Sequence, residues 1–260
     1  MASDAGPPAA SVVDVLALGA REIHRASWVF TGFNLPVLAA RVARRRVDST
    51  FVQLLEAGAA LDRDTVELVT STTDFHAYAD VTCYRGATAD VLLTLIPRCD
   101  LVVLDGATID LSGRTNAHAI GPTAHPKVRL PGGGGAPDAA ARATDLLFLN
   151  ANDDVHRICA GVEHISTSPA AAQRIRLVTR WGVLRLGAEP AMEAVLDGPG
   201  VDAALTYLAA LGVDTAAAAE ATPPNEDERA DAIAVLHEAA AKGYDMAARA
   251  IKDLPTPVDR

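Results

Sequence analysis

The stretch that most constrains this sequence is a strand-helix-strand pattern near its start. Ser27 to Thr31 is a short apolar run that ends at Gly32. Asn34 then stands at the N-cap position of a helix with Pro36 in its first turn, which runs to about Arg46. Thr50 to Leu55 is a second apolar run. Two strands joined through a helix in this way lie parallel in one sheet, with helices against its faces. The predicted fold class is therefore α/β: a single open, mostly parallel sheet domain flanked by helices.

The rest of the chain extends this pattern. Residues 11–25 place apolar side chains at helical spacing. A helix-like stretch at 89–96 precedes a strand at 101–104. Further strands are expected at 146–149, 163–167 and 176–179, and 182–186 closes a hairpin after the Arg180-Trp181-Gly182 turn. Helices are expected near Pro137 and Asp138 and over 191–196, 201–210 and 226–241. The expected organisation is a flexible N-terminus over 1–10, one domain over 11–242, and a C-terminal helix and tail over 243–260.

Composition excludes some classes. The 260 residues are 50% hydrophobic, enough for a sizeable core. The net charge of −10 argues against nucleic acid as the main partner, although a local site can still oppose the global charge. Cys83, Cys99 and Cys159 are scattered and odd in number, so reduced, mostly buried thiols and a cytoplasmic location are expected. The N-terminus has no basic start and no apolar core, so it does not read as a signal peptide. No apolar run nears the ~20 residues that span a bilayer, so no membrane partner is expected.

Four features carry possible chemistry. Leu55-Glu56-Ala57-Gly58 puts a carboxylate at the carboxyl end of a strand, where open α/β sheets place their ligand crevice. There it can act as a nucleophile, a general base or a metal ligand, or it is an ordinary solvated glutamate. Gly132 to Gly135, followed by Ala136-Pro137-Asp138, can bring backbone N–H groups close to a ligand, or it is a flexible surface loop. Asn116, after Gly113, can donate its side-chain amide to a developing oxyanion or satisfy its own loop. His125-Pro126-Lys127-x-Arg129 can hold an anion or be a solvated basic cluster. His118 and His125 lack a third metal ligand at a recognisable spacing, so no metal is expected.

The order of these features carries a resemblance. Thr31-Gly32 is followed by Leu55-Glu56-Ala57-Gly58, then Gly106-Ala107-Thr108-Ile109-Asp110-Leu111-Ser112-Gly113-Arg114-Thr115-Asn116. After these come His125-Pro126-Lys127-Val128-Arg129 and Gly132-x-Gly134-Gly135-Ala136. In this order the chain resembles the β-type subunits of family I coenzyme A transferases, over about residues 12–240. The resemblance implies that Glu56 is the nucleophile and passes through a glutamyl-CoA thioester. It implies that Asn116, Gly132, Gly134, Gly135 and Ala136 serve the oxyanion and CoA, and that Gly32, Gly58 and Lys127 border the substrate pocket; Arg85, in the polar stretch Thr70 to Ala87, is expected to line its entrance and read a second functional group on the acyl chain. It implies an α-type subunit as partner in a heterodimer or heterotetramer, acyl-CoA and a carboxylic acid as substrates, and no cofactor beyond CoA. Many relatives carry a polar residue beside the nucleophile, where this chain has Leu55 and Ala57. The superfamily also holds CoA-thioester decarboxylases and C–C hydrolases, for which Glu56 would be a base. A non-catalytic subunit that completes its partner's site is a third possibility.

Overall fold

The computed structural model describes residues 9–65, 67–122, 124–252 and 254. The expected flexible start thus falls mostly outside the described residues, as does the end of the expected tail. In chain order the elements are α1 (Ala9–His24), β1 (Trp28–Thr31), α2 (Leu35–Arg44), β2 (Val52–Leu55), β3 (Ala59–Leu61) and α3 (Phe75–Tyr78). They continue with β4 (Thr82–Arg85), a π-helical turn at Asp90–Leu95, β5 (Leu101–Asp105), β6 (Ile109–Asp110), β7 (Ala119–Ile120), β8 (Val128–Arg129) and α4 (Ala136–Arg142). The remainder is β9 (Asp145–Leu149), β10 (Ile158–Cys159), β11 (Arg174–Thr179), β12 (Gly182–Leu186), β13 (Ala191–Val195), α5 (Val201–Ala210), β14 (Ala219–Glu220), α6 (Glu226–Ala241) and α7 (Asp245–Lys252).

Ten strands form one sheet in the order β14-β13-β12-β11-β9-β5-β1-β2-β3-β4. From β11 to β2 the neighbours are all parallel. These inner strands are apolar along almost their whole length because helices cover both faces. On one face α1, α2, α6 and α7 pack around Leu16, Leu38, Leu55, Val103 and Leu236. On the other, α4, α5 and the π-helical turn pack around Phe30, Leu54, Leu104, Phe148 and Leu208. Gly19 lets α1 come close: a side chain there would meet Leu149 at 3.0 Å and Ala39 at 3.3 Å.

The predicted fold class is the observed one, but several elements differ. Residues 191–195 form a strand, β13, not a helix, because they pair with β12 through Leu184 and Met192 and with the edge strand β14 through Ala194 and Val195. Residues 163–167 are not a strand; the backbone there makes only a single bridge between Thr115 and Thr167. Asn34 precedes α2 but makes no side-chain cap; its φ of 64° is left-handed instead. The segment 59–85, for which the sequence pattern predicts no strand, supplies the antiparallel strands β3 and β4. α7 is docked in the core through Ala247 and Ala250. Of the cysteines, Cys99 is buried and Cys159 half-buried, but Cys83 is exposed; none is in a disulfide.

Candidate active site

Glu56 is placed by a tight turn. Leu55 ends β2 and pairs directly with Ala59 of β3, so Glu56 and Ala57 occupy the corner of a hairpin. The Gly58 N–H donates to the Leu55 carbonyl at 3.1 Å and closes the turn. Gly58 has φ 99°, and a Cβ there would lie 2.1 Å from the Gly86 carbonyl oxygen. Only glycine fits. Gly86 in turn donates its N–H to the Gly58 carbonyl at 2.8 Å. The hairpin corner is therefore pinned from outside by the segment after β4, and Ala87 N–H is held by Asp90 at 2.7 Å.

The glycine run lies against this corner. A Cβ on Gly135 would stand 2.8 Å from Glu56 Cδ, and one on Gly134 would stand 3.5 Å from Glu56 Oε2. The absence of side chains at both positions is what admits the carboxylate. Gly134 has φ 51°, and Gly133 accepts from the Ala136 N–H at 2.9 Å as the chain turns into α4. Among the described residues, neither the Gly134 nor the Gly135 N–H donates to a backbone carbonyl. Two backbone donors without a main-chain partner thus sit beside a half-buried carboxylate.

The other sequence candidates fall at different distances from this centre. Gly132 is joined to the Asn116 loop, since its N–H donates to the Ala117 carbonyl at 2.8 Å. Asn116 is buried, and its own loop engages it: the amide donates to the Ala119 carbonyl at 2.6 Å, and Oδ1 accepts from His118 and Ala119. Ala136 opens α4 directly behind Gly135. Gly32 directly follows β1, one strand over from Glu56, and its N–H donates to the Val103 carbonyl at 2.9 Å. Arg85 ends β4 opposite Ala59, with its guanidinium 3.5 Å from the Ala79 carbonyl. Lys127 is exposed at the entry to β8. His118 pairs with His164, not His125, in a stacked ring contact at 4.6 Å. Among the described residues no group of three or more His, Cys, Asp or Glu side chains is arranged to hold a metal. No helix among them is long and apolar enough to cross a membrane.

A second concavity has no counterpart among the sequence candidates. A cleft of about 750 Å³ opens between the carboxyl ends of β1, β5 and β9, with α7 as one wall. It is lined by Phe33, Asn34, Asp105, Asn150, Tyr244 and Arg249, among others, and does not include Glu56. Alternation along the strands explains the separation. Val103 faces the α1 layer and Leu104 the α4 layer, so Asp105 turns back toward the α1 side. Glu56 meets the glycine run on the α4 side. Asp105 is exposed at the end of β5 and opens on the cleft; the crowding of the surrounding walls raises its carboxyl to about 6, against the pull of the Gly106 N–H.

This hairpin carboxylate under a glycine run can be compared with known proteins. No family model matches the chain. In sequence it is 32% identical over 142 residues to the β-type subunit of the 3-oxoadipate CoA-transferase of Pseudomonas knackmussii, covering 50% of each chain. It is 29% identical over 136 residues to the β-type subunit of the glutaconate CoA-transferase of Acidaminococcus fermentans, again 50% of each. A solved glutaconate coenzyme A-transferase from that organism superposes over 84% of this chain and 90% of its own, with TM-score 0.67 and 20% identity. The chain is thus similar in sequence to β-type subunits of coenzyme A transferases over half its length, and it shares their fold. The matched region spans about half the length of these curated transferase relatives. The transferase fold is shared more widely: the decarboxylase AibA/AibB superposes over 86% of this chain and 93% of its own, with TM-score 0.69 and 24% identity.

Proposed function

We propose that this chain is the β-type subunit of an acyl-CoA:carboxylate CoA-transferase and works through a glutamyl-CoA thioester on Glu56. The observation that carries this reading is the contact between the Glu56 carboxylate and the side-chain-free Gly134–Gly135 backbone. A carboxylate oxygen attacks the thioester carbonyl, and the negative charge moves to the carbonyl oxygen. CoA thiolate leaves, and a mixed anhydride with Glu56 forms. The thiolate then attacks the Glu56 carbonyl carbon and expels the first acid as its carboxylate. The acceptor acid runs these two steps in reverse: its carboxylate attacks the glutamyl thioester, and the released thiolate takes the new acyl group. Glu56 is returned unchanged.

Every step passes through an oxyanion. The Gly134 and Gly135 N–H groups are the donors best placed to meet it, since both stand beside Glu56. Removing one such donor typically costs ~10²–10³ in rate. Asn116 holds the loop that anchors Gly132, so in this reading it positions the glycine run; Ala136 continues that run into α4. Gly58 shapes the corner, while Gly32, Arg85 and Lys127 border the approach. CoA is the one coenzyme required, as a substrate.

Glu56 lies at an open hairpin corner and not in the 750 Å³ cleft, which suits a site completed by an α-type partner. The test is chemical trapping. The chain, co-expressed with its α-type partner, is incubated with acyl-CoA and then with borohydride or hydroxylamine. Modification of the Glu56 peptide is expected in the mass spectrum. An unmodified peptide alongside full turnover rejects the covalent route. Carbon dioxide release without an acceptor acid would place the chain with the decarboxylase that shares its fold.

A further inference from the structure

The net charge of this chain is −10, but one segment runs against it. From Leu111 to Pro137 there is no Asp or Glu, although the chain holds 33. The same segment carries Arg114, His118, His125, Lys127 and Arg129. Arg114 is neutralised by Asp110 at 2.8 Å. Most other arginines of the described chain also have a carboxylate partner, among them Arg21, Arg41, Arg45 and Arg176. Lys127 and Arg129 have none among the described residues, and both are exposed.

Their geometry makes them a pair. Lys127 and Arg129 are two apart on β8 and its entry, so both point to one face. Arg129 lies opposite Ala119, and Lys127 packs against Gly121, whose Cβ position is 3.3 Å from Lys127 Cγ. The partners across the hairpin are the two smallest residue types, so nothing covers or neutralises the cations. The hairpin leads straight into the catalytic loop: Leu130 N–H donates to the His118 carbonyl at 2.9 Å and Gly132 N–H to the Ala117 carbonyl at 2.8 Å. Gly134 is five positions after Arg129, a span of at most ~18 Å. That is within reach of an extended pantetheine arm.

We propose that Lys127 and Arg129 on the β7–β8 hairpin bind the phosphate groups of CoA while its sulfur lies at Glu56. This assignment rests on the transferase reading above. Cations aimed at phosphates form strong charge-assisted hydrogen bonds, and in a chain of opposite net charge they fix where an anionic coenzyme can settle.

The experiment uses the chain in complex with its α-type partner and compares wild type, the double variant K127E/R129E and the control K252E, at the far end of α7. Binding of adenosine 3′,5′-bisphosphate is followed by calorimetry, and turnover is measured with acyl-CoA and with the phosphate-free acyl-pantetheine. The double variant is expected to bind the bisphosphate at least about tenfold more weakly, one decade of affinity. Its KM for acyl-CoA is expected to rise with kcat kept, and its KM for acyl-pantetheine to stay unchanged. The proposal is overturned if wild type does not bind the bisphosphate, if the double variant binds it equally well, or if K252E loses as much. Equal KM effects on acyl-CoA and acyl-pantetheine also overturn it. The binding arm needs no turnover, so an untrapped Glu56 with weakened bisphosphate binding would reject the covalent reading and keep the phosphate site.

Discussion

At the scale of single residues, three substitutions separate chemistry from stability. Gly135 has an ordinary φ of −82°, so alanine is tolerated by the backbone there, but its Cβ would push the Glu56 carboxylate aside from 2.8 Å. If Glu56 is the nucleophile proposed above, G135A should cost ~10²-fold or more in turnover, by misplacing it, while the melting temperature hardly moves. Gly58 behaves oppositely. Its φ of 99° and the Gly86 oxygen at 2.1 Å leave no room for a side chain. G58A should destabilise the fold by about 1–3 kcal/mol from backbone strain alone, read by urea unfolding. Asp105 offers a pH test. Its carboxyl is raised to about 6 in the folded chain by desolvation, above the ordinary aspartate value of 3.8. Between those two values the native state holds more proton than the unfolded state, so this group's contribution to stability declines as pH rises through the window. Because Asp105 is exposed at the end of β5, solvent screens much of this effect, and D105N should raise the melting temperature only slightly at pH 7.5 and leave it unchanged near pH 3. An equal shift at both pH values would refute the assigned cause.

At the scale of elements, the two asparagines at helix starts show what a pattern conceals. Both Asn34 and Asn225 stand at an N-cap. Asn225 accepts from the Glu228 N–H at 2.9 Å, and Glu228 returns the bond to the Asn225 N–H in a reciprocal capping box. Glu228 is also paired with Arg21 at 2.6 Å, which joins α6 to α1 and holds its carboxyl below the usual range. N225A should cost about 1 kcal/mol. Asn34 makes no such bond and sits at φ 64°, so N34G should be neutral or slightly stabilising in the same unfolding assay. The 191–196 segment, a strand where a helix is expected, has a similar lesson. Ala-Met-Glu-Ala favours a helix locally, but Met192 is needed beside Leu184 to extend the sheet, and tertiary pairing overrides propensity.

At the scale of the whole molecule, the site is exposed on one side. Tyr84, Leu93, Val128 and Ile165 are large apolar side chains left at the surface, and β4, β8 and the Ser166 loop that carry or flank three of them also border the Glu56 corner or its Asn116 support. A partner subunit that covers such residues would also exclude water from the anhydride of the proposed reaction. We expect the isolated chain to show negligible transfer activity and co-expression with an α-type chain to restore it, checked by size-exclusion chromatography and an acyl-CoA exchange assay.

The sequence by itself determined the α/β class, through the strand-helix-strand pattern at 27–55 and the apolar runs at 101–104 and 146–149. It also marked Glu56, Asn116 and the glycine run, because glycines and a strand-end acid are local signals that survive without coordinates. Only the tertiary structure decided that Glu56 sits in a hairpin corner with Gly134 and Gly135 upon it. The two segments are far apart in sequence, and the fit depends on space at Gly58 and Gly135 that the neighbouring chain defines. It also decided that the Asp105 cleft opens on the opposite face, since the sense in which side chains alternate is set by which layer each strand packs against, not by residue type.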